Sequence, residues 1–229
     1  MKITNLKAEV LVADNADISL TSSAQDTVLV TVETDEGLVG YGETDANPWV
    51  VKACIESPGT HTMDQSMKDI IIGRDPLDVE DCWNALYVGT AMTGRRGAGV
   101  NAIGAIDMAL WDIKGKYLDK PVFELLGGNV HETITPYASL QPLGSSFEEY
   151  RDSLAEWAEK AKNLGFKAVK SEVTMNGPYA HNGMREDDDK HTKVLEAVRK
   201  ALGPNIHLMV DVQYKWQTAD EALRTVKDW

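Results

Sequence analysis

After the glycine pair Gly127-Gly128 the chain settles into a strand, loop, helix rhythm repeated three times, and this constrains the fold more than any other feature. Thr133–Ser139 reads as a strand. Ser146 with Glu149 forms a capping-box signature for a helix carrying Tyr150, Leu154, Trp157, Ala158, Ala161 and Leu164 on one face, and Gly165 ends it. Phe166–Thr174 reads as a second strand, followed by the polar loop Met175–Arg185 and a helix whose stripe is Val194, Leu195, Val198 and Leu202. Its acidic first turn, Glu186 to Asp189, suits the positive end of a helix dipole better than a metal site. Gly203-Pro204 stops that helix, His207–Gln213 makes a third strand, and Thr218 with Glu221 caps a third helix. Consecutive βα units of this kind imply parallel strands joined by right-handed crossovers. Only 99 residues follow Val130, whereas a closed eight-stranded β/α barrel takes typically about 250. A whole barrel of that kind does not fit in this stretch. The sequence stops at Trp229 within an amphipathic helical pattern and reads as cut rather than finished.

The portion before the glycine pair is of another kind. Alternating or β-branched runs at Lys2–Val12, Thr27–Thr34 and Leu38–Glu43, the last two joined by Asp35-Glu36-Gly37, predict a small antiparallel meander. Helices are predicted at about Met63–Ile72, at Val79–Tyr87 after the breaker Gly73-Arg74-Asp75-Pro76, and at Asn101–Lys116. In the last, Ile103, Ile106, Leu110 and Ile113 fall at helical spacing, while Ala102, Ala105 and Ala109 form a small-residue stripe that permits close contact. The chain thus divides into an α+β domain over residues 1–125 and a β/α domain over 126–229. The formal net charge of −13 repels phosphate backbones and anionic membrane faces, so neither nucleic acid nor membrane is an expected partner. With no apolar run near 18 residues and no signal-peptide pattern at the start, the expected location is cytoplasmic. Cys54 and Cys82 lie in no CxxC motif and are expected as reduced thiols.

Parallel β/α sheets place their chemistry at the carboxyl ends of strands. In Ala168–Val173, period-2 alternation sends Val169 and Val173 to one face and Lys170 and Glu172 to the other; in Leu208–Gln213 it separates Leu208, Val210 and Val212 from Met209, Asp211 and Gln213. Buried charges are costly unless paired or metal-bound. Two adjacent strands ending in this way indicate either a shared polar site or an internal ion pair, Lys170–Asp211 or Lys170–Glu172, with no catalytic role.

The run Ala102-Ile103-Gly104-Ala105-Ile106-Asp107-Met108-Ala109-Leu110-Trp111-Asp112-Ile113-Lys114-Gly115-Lys116, continued by Lys120-Pro121-Val122-Phe123-Glu124-Leu125-Leu126-Gly127-Gly128, resembles the end of the capping domain of the enolase superfamily, within its mandelate racemase / muconate lactonizing enzyme group. Gly73-Arg74-Asp75-Pro76 and Gly37–Glu43 resemble family segments as well, and the order of elements agrees over the whole chain. The resemblance implies an α+β capping domain followed by the first part of a modified β/α barrel. It also implies abstraction of the proton α to a carboxylate, with Mg²⁺ stabilising the enediolate. Carried over by position, Asp211 matches the first of three acidic Mg²⁺ ligands. Gln213 matches a position that helps hold metal or substrate, and Lys170 matches the first lysine of a Lys-x-Lys motif that neutralises the substrate carboxylate. Glu172 departs from the pattern, standing where relatives with a lysine base carry the second lysine. It can orient Lys170, bind substrate hydroxyls or take part in proton transfer.

That departure shifts the expected reaction toward acid-sugar dehydration, with racemisation, epimerisation or cycloisomerisation as the alternative. A non-catalytic interaction module is the alternative of another class. Loops at about Asn15–Gln25 and Thr44–Ile55 correspond to those that select substrate in relatives, which makes Ser22, Asn47 and Trp49 candidate contacts to a small carboxylate substrate. His181 is read as an ordinary loop histidine. The remaining metal ligands and the base would lie on strands beyond Trp229, so these residues alone are expected to turn over little, and an uncovered strand edge favours a homo-oligomer.

Overall fold

The computed structural model describes residues 1–18, 25–227 and 229. The chain divides into two compact units, with the break between Val130 and His131.

In the first unit the three alternating runs become β1 (Ile3–Val12), β2 (Asp26–Thr34) and β3 (Val39–Thr44), an antiparallel meander in sequence order. Gly37, at φ +83°, turns β2 into β3. Five helices follow: α1 (Pro48–Glu56), α2 (Met67–Ile71), α3 (Val79–Gly89), α4 (Ala98–Leu118) and α5 (Val122–Leu125). Val28, Val30 and Val32 of β2 are fully buried in one core with Ile103, Ile106, Leu110 and Ile113 of α4. The alanine stripe of α4 has a specific partner. A Cβ on Gly40 would collide with the Ala109 carbonyl oxygen, and one on Gly42 with that of Ala105, so β3 lies directly against the helix backbone. Asp112 and Lys116 lock the contact by bonding the Tyr41 amide (2.9 Å) and the Val39 carbonyl (2.7 Å) of β3 while pairing with each other (2.7 Å). Cys54 and Cys82 are free thiols, and burial pushes Cys82 up to about 11, which leaves it a packing residue.

Two expectations are corrected here. The segment Thr44–Ile55 is largely the helix α1 rather than a loop, with Asn47 as its N-cap, accepting from the Val50 amide at 3.2 Å, and Pro48 in the first turn. The helix expected over Met63–Ile72 shrinks to the five residues of α2, because Ser66 caps it by accepting from the Asp69 amide and the preceding residues form a turn closed by a His61–Asp64 bridge.

The second unit contains β4 (Ala138–Leu140), α6 (Phe147–Asn163), β5 (Ala168–Glu172), α7 (Asp189–Leu202), β6 (His207–Asp211) and α8 (Ala219–Val226). The strands are parallel in the order β4-β5-β6, as consecutive βα units require. Both capping boxes form, Ser146 with Glu149 and Thr218 with Glu221. The architecture is thus the expected α+β unit followed by three βα units of a barrel-type sheet. The first strand is much shorter than Thr133–Ser139, since pairing with β5 begins only at Ala138 and Ile134 is exposed. On α6, Trp157 and Leu164 are also exposed rather than core-facing, and Lys160 lies over the Trp157 ring at 4.4 Å. Tyr150, Leu154, Ala158 and Ala161 do face the core, with Val169, Val173, Val194 and Val198.

The close approach of β3 to α4 predicts opposite outcomes for two glycines. Gly42→Ala is expected to destabilise the chain by about 3 kcal/mol, since the obstructing atom is backbone and cannot rotate away. Gly104→Ala, in the interior of α4 with open space at its Cβ position, is expected to be neutral or to stabilise by up to about 1 kcal/mol. Urea-unfolding midpoints of the two variants check both signs.

Candidate active site

The site is built by the pleat of β5 and β6. Val169, Ser171 and Val173 point toward the helices and are fully buried, which sends Lys170 and Glu172 to the opposite face. In the parallel register Lys170 stands beside Met209 and Glu172 beside Asp211, so Asp211 shares the face with both charged residues of β5. Lys170 Nζ lies 3.2 Å from Asp211 Oδ2. The bond to Asp211 raises the pKa of the Lys170 ammonium, and Tyr137, whose ring lies 5.6 Å from Nζ, adds to that effect. The lysine therefore stays charged at neutral pH.

Glu172 is in a different environment. Only 3% of it is exposed, and burial raises its carboxyl pKa. The Thr174 hydroxyl, donating to Oε1 at 3.1 Å, opposes the shift, the negative charge of Asp211 reinforces it, and Gln141 opposes it again. The strand end beneath it is pinned by Tyr150, whose hydroxyl donates to the Glu172 carbonyl (3.0 Å) and accepts from the Thr174 amide (2.9 Å). Burial pushes the Tyr150 phenol up to about 12, so it remains a neutral donor. The face thus carries a fixed cation, a carboxylate paired with it, and a second carboxyl biased toward its protonated form.

The substrate-contact candidates fall in different places. Gln213 is beyond β6 rather than in it, in a turn where both it (φ 43°) and Tyr214 (φ 56°) are left-handed, and its amide donates to Asp211 Oδ1 at 3.1 Å. Asn47 and Trp49 belong to the other unit: Asn47 spends its side-chain oxygen on the α1 cap, while Trp49 in the first turn is 57% exposed. Ser22 lies outside the described residues. His181 corrects the surface-loop expectation. It is 3% exposed, its Nε2 meets the Gly144 carbonyl at 2.9 Å, and its ring sits edge-on to Tyr150 at 5.6 Å. It ties the loop after β5 to the loop after β4. A lone histidine in a polar loop offered no local pattern that signals such burial.

Among the described residues no group of three or more His, Cys, Asp or Glu side chains converges on one point. Asp211 supplies the oxygen chemistry that a hard divalent cation such as Mg²⁺ prefers, but as a single carboxylate ligand. The donor type fits and the number is partial.

With this geometry in place, comparison with known proteins defines the class. Residues 7–127 match the family described as "Mandelate racemase / muconate lactonizing enzyme, N-terminal domain", and residues 153–229 match "Enolase C-terminal domain-like". The chain belongs to the mandelate racemase / muconate lactonizing enzyme group of the enolase superfamily. It is 34% identical to a D-galactarolactone cycloisomerase of Agrobacterium fabrum, over 86% of this chain and 46% of that protein. It is 30% identical to a D-galactonate dehydratase family member of Cellvibrio japonicus, over 93% of this chain and 55% of that protein. Among solved structures, the 3,6-anhydro-D-galactonate cycloisomerase from Zobellia galactanivorans superposes with a TM-score of 0.77 at 28% identity, covering 100% of this chain and 55% of the other. The chain spans about half the length of the curated relatives it matches.

On the helix side of the site, Asp188 at the start of α7 does more than complement a dipole. Its Oδ1 receives the Lys215 ammonium (2.6 Å) and the Asn176 amide (2.9 Å), and its Oδ2 receives the Trp216 indole (3.2 Å) and the Thr225 hydroxyl (3.0 Å). His191 is fully buried beside Lys215. Burial first, and the Lys215 charge second, lower its pKa from 6.5 to about 4, with Asp188 opposing. Between those two values the unfolded chain binds a proton that the folded chain refuses. The stability linked to His191 is therefore complete above about pH 6.5 and is lost as the pH falls toward 4. A loss on the order of 1–3 kcal/mol between neutral pH and pH 4.5 is expected. His191→Gln is expected to flatten that part of the stability profile. Chemical denaturation at a series of pH values measures both, and an unchanged slope in the variant contradicts the assignment.

Proposed function

We propose that the protein carrying these residues abstracts the proton α to the carboxylate of an acid sugar in a Mg²⁺-dependent reaction, and that the outcome is dehydration. The observation that carries this reading is the shared face of β5 and β6, where Lys170 and Asp211 stand 3.2 Å apart with the buried Glu172 beside them. A metal ion held there would supply positive charge to the substrate carboxylate as the α-carbon loses its proton. Asp211 would provide one of its ligands. Lys170, kept protonated, binds a carboxylate oxygen and lowers the cost of the charge that develops on it. Glu172 stands where relatives with a lysine base carry that base; with burial raising its carboxyl pKa, it is suited in its acid form to give a proton to a departing hydroxyl, which leaves as water. Gln213, Ser22, Asn47 and Trp49 are proposed as substrate contacts on the strength of the family resemblance.

Cycloisomerisation is the second reading, supported by the two cycloisomerases among the relatives described above. Both readings begin with the same proton removal. Small hydroxylated carboxylates are the proposed substrates, in keeping with the acid-sugar names that relatives carry, and a homo-oligomer in the cytoplasm is the proposed setting.

The product of the intact gene, incubated in deuterated water with Mg²⁺ and a panel of aldonates, aldarates and aldarolactones, is expected to release 2-keto-3-deoxy acids from at least one. Deuterium entering the α-position, or lactone rearrangement, without loss of water selects the isomerase reading. Absence of exchange, rearrangement and dehydration across the panel defeats the enzymatic proposal. Asp211→Asn is expected to reduce kcat/KM by about a hundredfold or more, and Lys170→Met is expected to raise KM as well as lower kcat.

A further inference from the structure

The turn that follows β6 is strained where it meets the candidate site. Gln213 and Tyr214 are consecutive non-glycine residues at φ 43° and 56°. Each such residue costs about 1 kcal/mol or more relative to ordinary backbone and persists only when its surroundings fix it. In this conformation the turn directs the Gln213 N–H at Asp211 Oδ1 (3.1 Å), while Oδ2 faces the Lys170 ammonium (3.2 Å). Both carboxylate oxygens are thereby oriented, one by the turn and one by the neighbouring strand.

The fixing element begins one residue past the strain. Lys215 N–H donates to the Val212 carbonyl (2.9 Å), closing the turn. The Lys215 side chain, 4% exposed, then runs inward to Asp188 Oδ1 at 2.6 Å. Asp188 is itself held by Asn176 from the loop after β5, by Trp216, and by Thr225 of α8. Withdrawing Lys215 would leave the half-buried Asp188 carboxylate without this charged partner and would uncover the lysine's buried side chain, so the position of residue 215 is specified from both ends of the pair.

We propose that Lys215 and Asp188 are positioning residues of the active site: by clamping the far side of the turn they hold Gln213 and Tyr214 in their left-handed conformation, and through the Gln213 N–H they aim the Asp211 carboxylate. The geometric claim stands on the contacts above. Its consequence for metal binding rests on the reading of Asp211 as a metal ligand.

The test uses the product of the intact gene, as above, isotopically labelled, with Mn²⁺ as a paramagnetic probe. In Lys215→Met, which keeps the stem and removes the charge, the Gln213 amide is expected to exchange about tenfold faster or more. The carboxyl-carbon resonance of Asp211 is expected to shift, while the β5 amides of Val169 and Lys170 keep their protection. Adding Tyr214→Gly, which removes the cost of a left-handed residue, is expected to recover part of the lost protection. A purely structural role for Lys215 would lower protection across the unit and would show no such rescue. Should Lys215→Met fail to fold, Asp188→Asn, which keeps the size and one acceptor oxygen and removes the charge, takes its place. An unchanged Gln213 amide and Asp211 resonance in the folded variant overturns the proposal, as does absence of rescue by Tyr214→Gly. Mn²⁺ affinity separates the two layers. Loss in Asp211→Asn with a smaller loss in Lys215→Met supports both, whereas no change in Asp211→Asn defeats the metal-ligand reading and leaves the positioning claim to be decided by the amide and carboxyl signals.

Discussion

The two-sidedness of the parallel sheet governs the second unit. Because β-strand side chains alternate, Val169, Ser171 and Val173 of β5 can enter the core beneath α6 and α7 only if Lys170 and Glu172 leave it together on the other face. The register with β6 then puts Asp211 on that same face. Charges concentrated on one side of a sheet cannot be dispersed by rotating a side chain; they must pair or be satisfied by a ligand. The Lys170–Asp211 contact and the buried Glu172 carboxyl are the form that constraint takes in this chain.

The first unit obeys a different constraint, distance rather than charge. Its long helix α4 and its strand β3 approach until backbone meets backbone, which only Gly40 and Gly42 opposite Ala105 and Ala109 allow. Polar groups at the edge of the contact, Asp112 and Lys116, then satisfy main-chain atoms of β3. In this unit α1 holds Trp49 exposed and spends Asn47 on its cap.

Between strand ends and helix starts, the second unit uses a half-buried polar hub. Asp188 gathers donors from two loops and α8, and the buried cation Lys215 and the neutral imidazole of His191 complete it. Removing the Lys215 ammonium from such a hub takes away the charge that Asp188 pairs with, although three other donors still reach the carboxylate. It occupies the part of the fold where the connections after β5 and β6 must be held in irregular conformations, and regular secondary structure cannot do that work.

Much of this architecture could be read in the sequence alone. Alternation located the meander and the parallel strands β5 and β6, the Ser146/Glu149 and Thr218/Glu221 pairs marked helix starts, and helical spacing identified the buried stripe of α4, because these signals depend on neighbours within a turn or two. The sidedness of Lys170, Glu172 and Asp211 was legible for the same reason. Tertiary structure alone decided that Gly40 and Gly42 receive the alanine stripe, that β4 pairs over three residues only, and that His181 is buried. It also decided that Asp188 turns to Lys215 instead of simply facing its own helix. Those outcomes depend on partners 27 to 69 positions away along the chain, between groups whose local patterns carry no trace of one another.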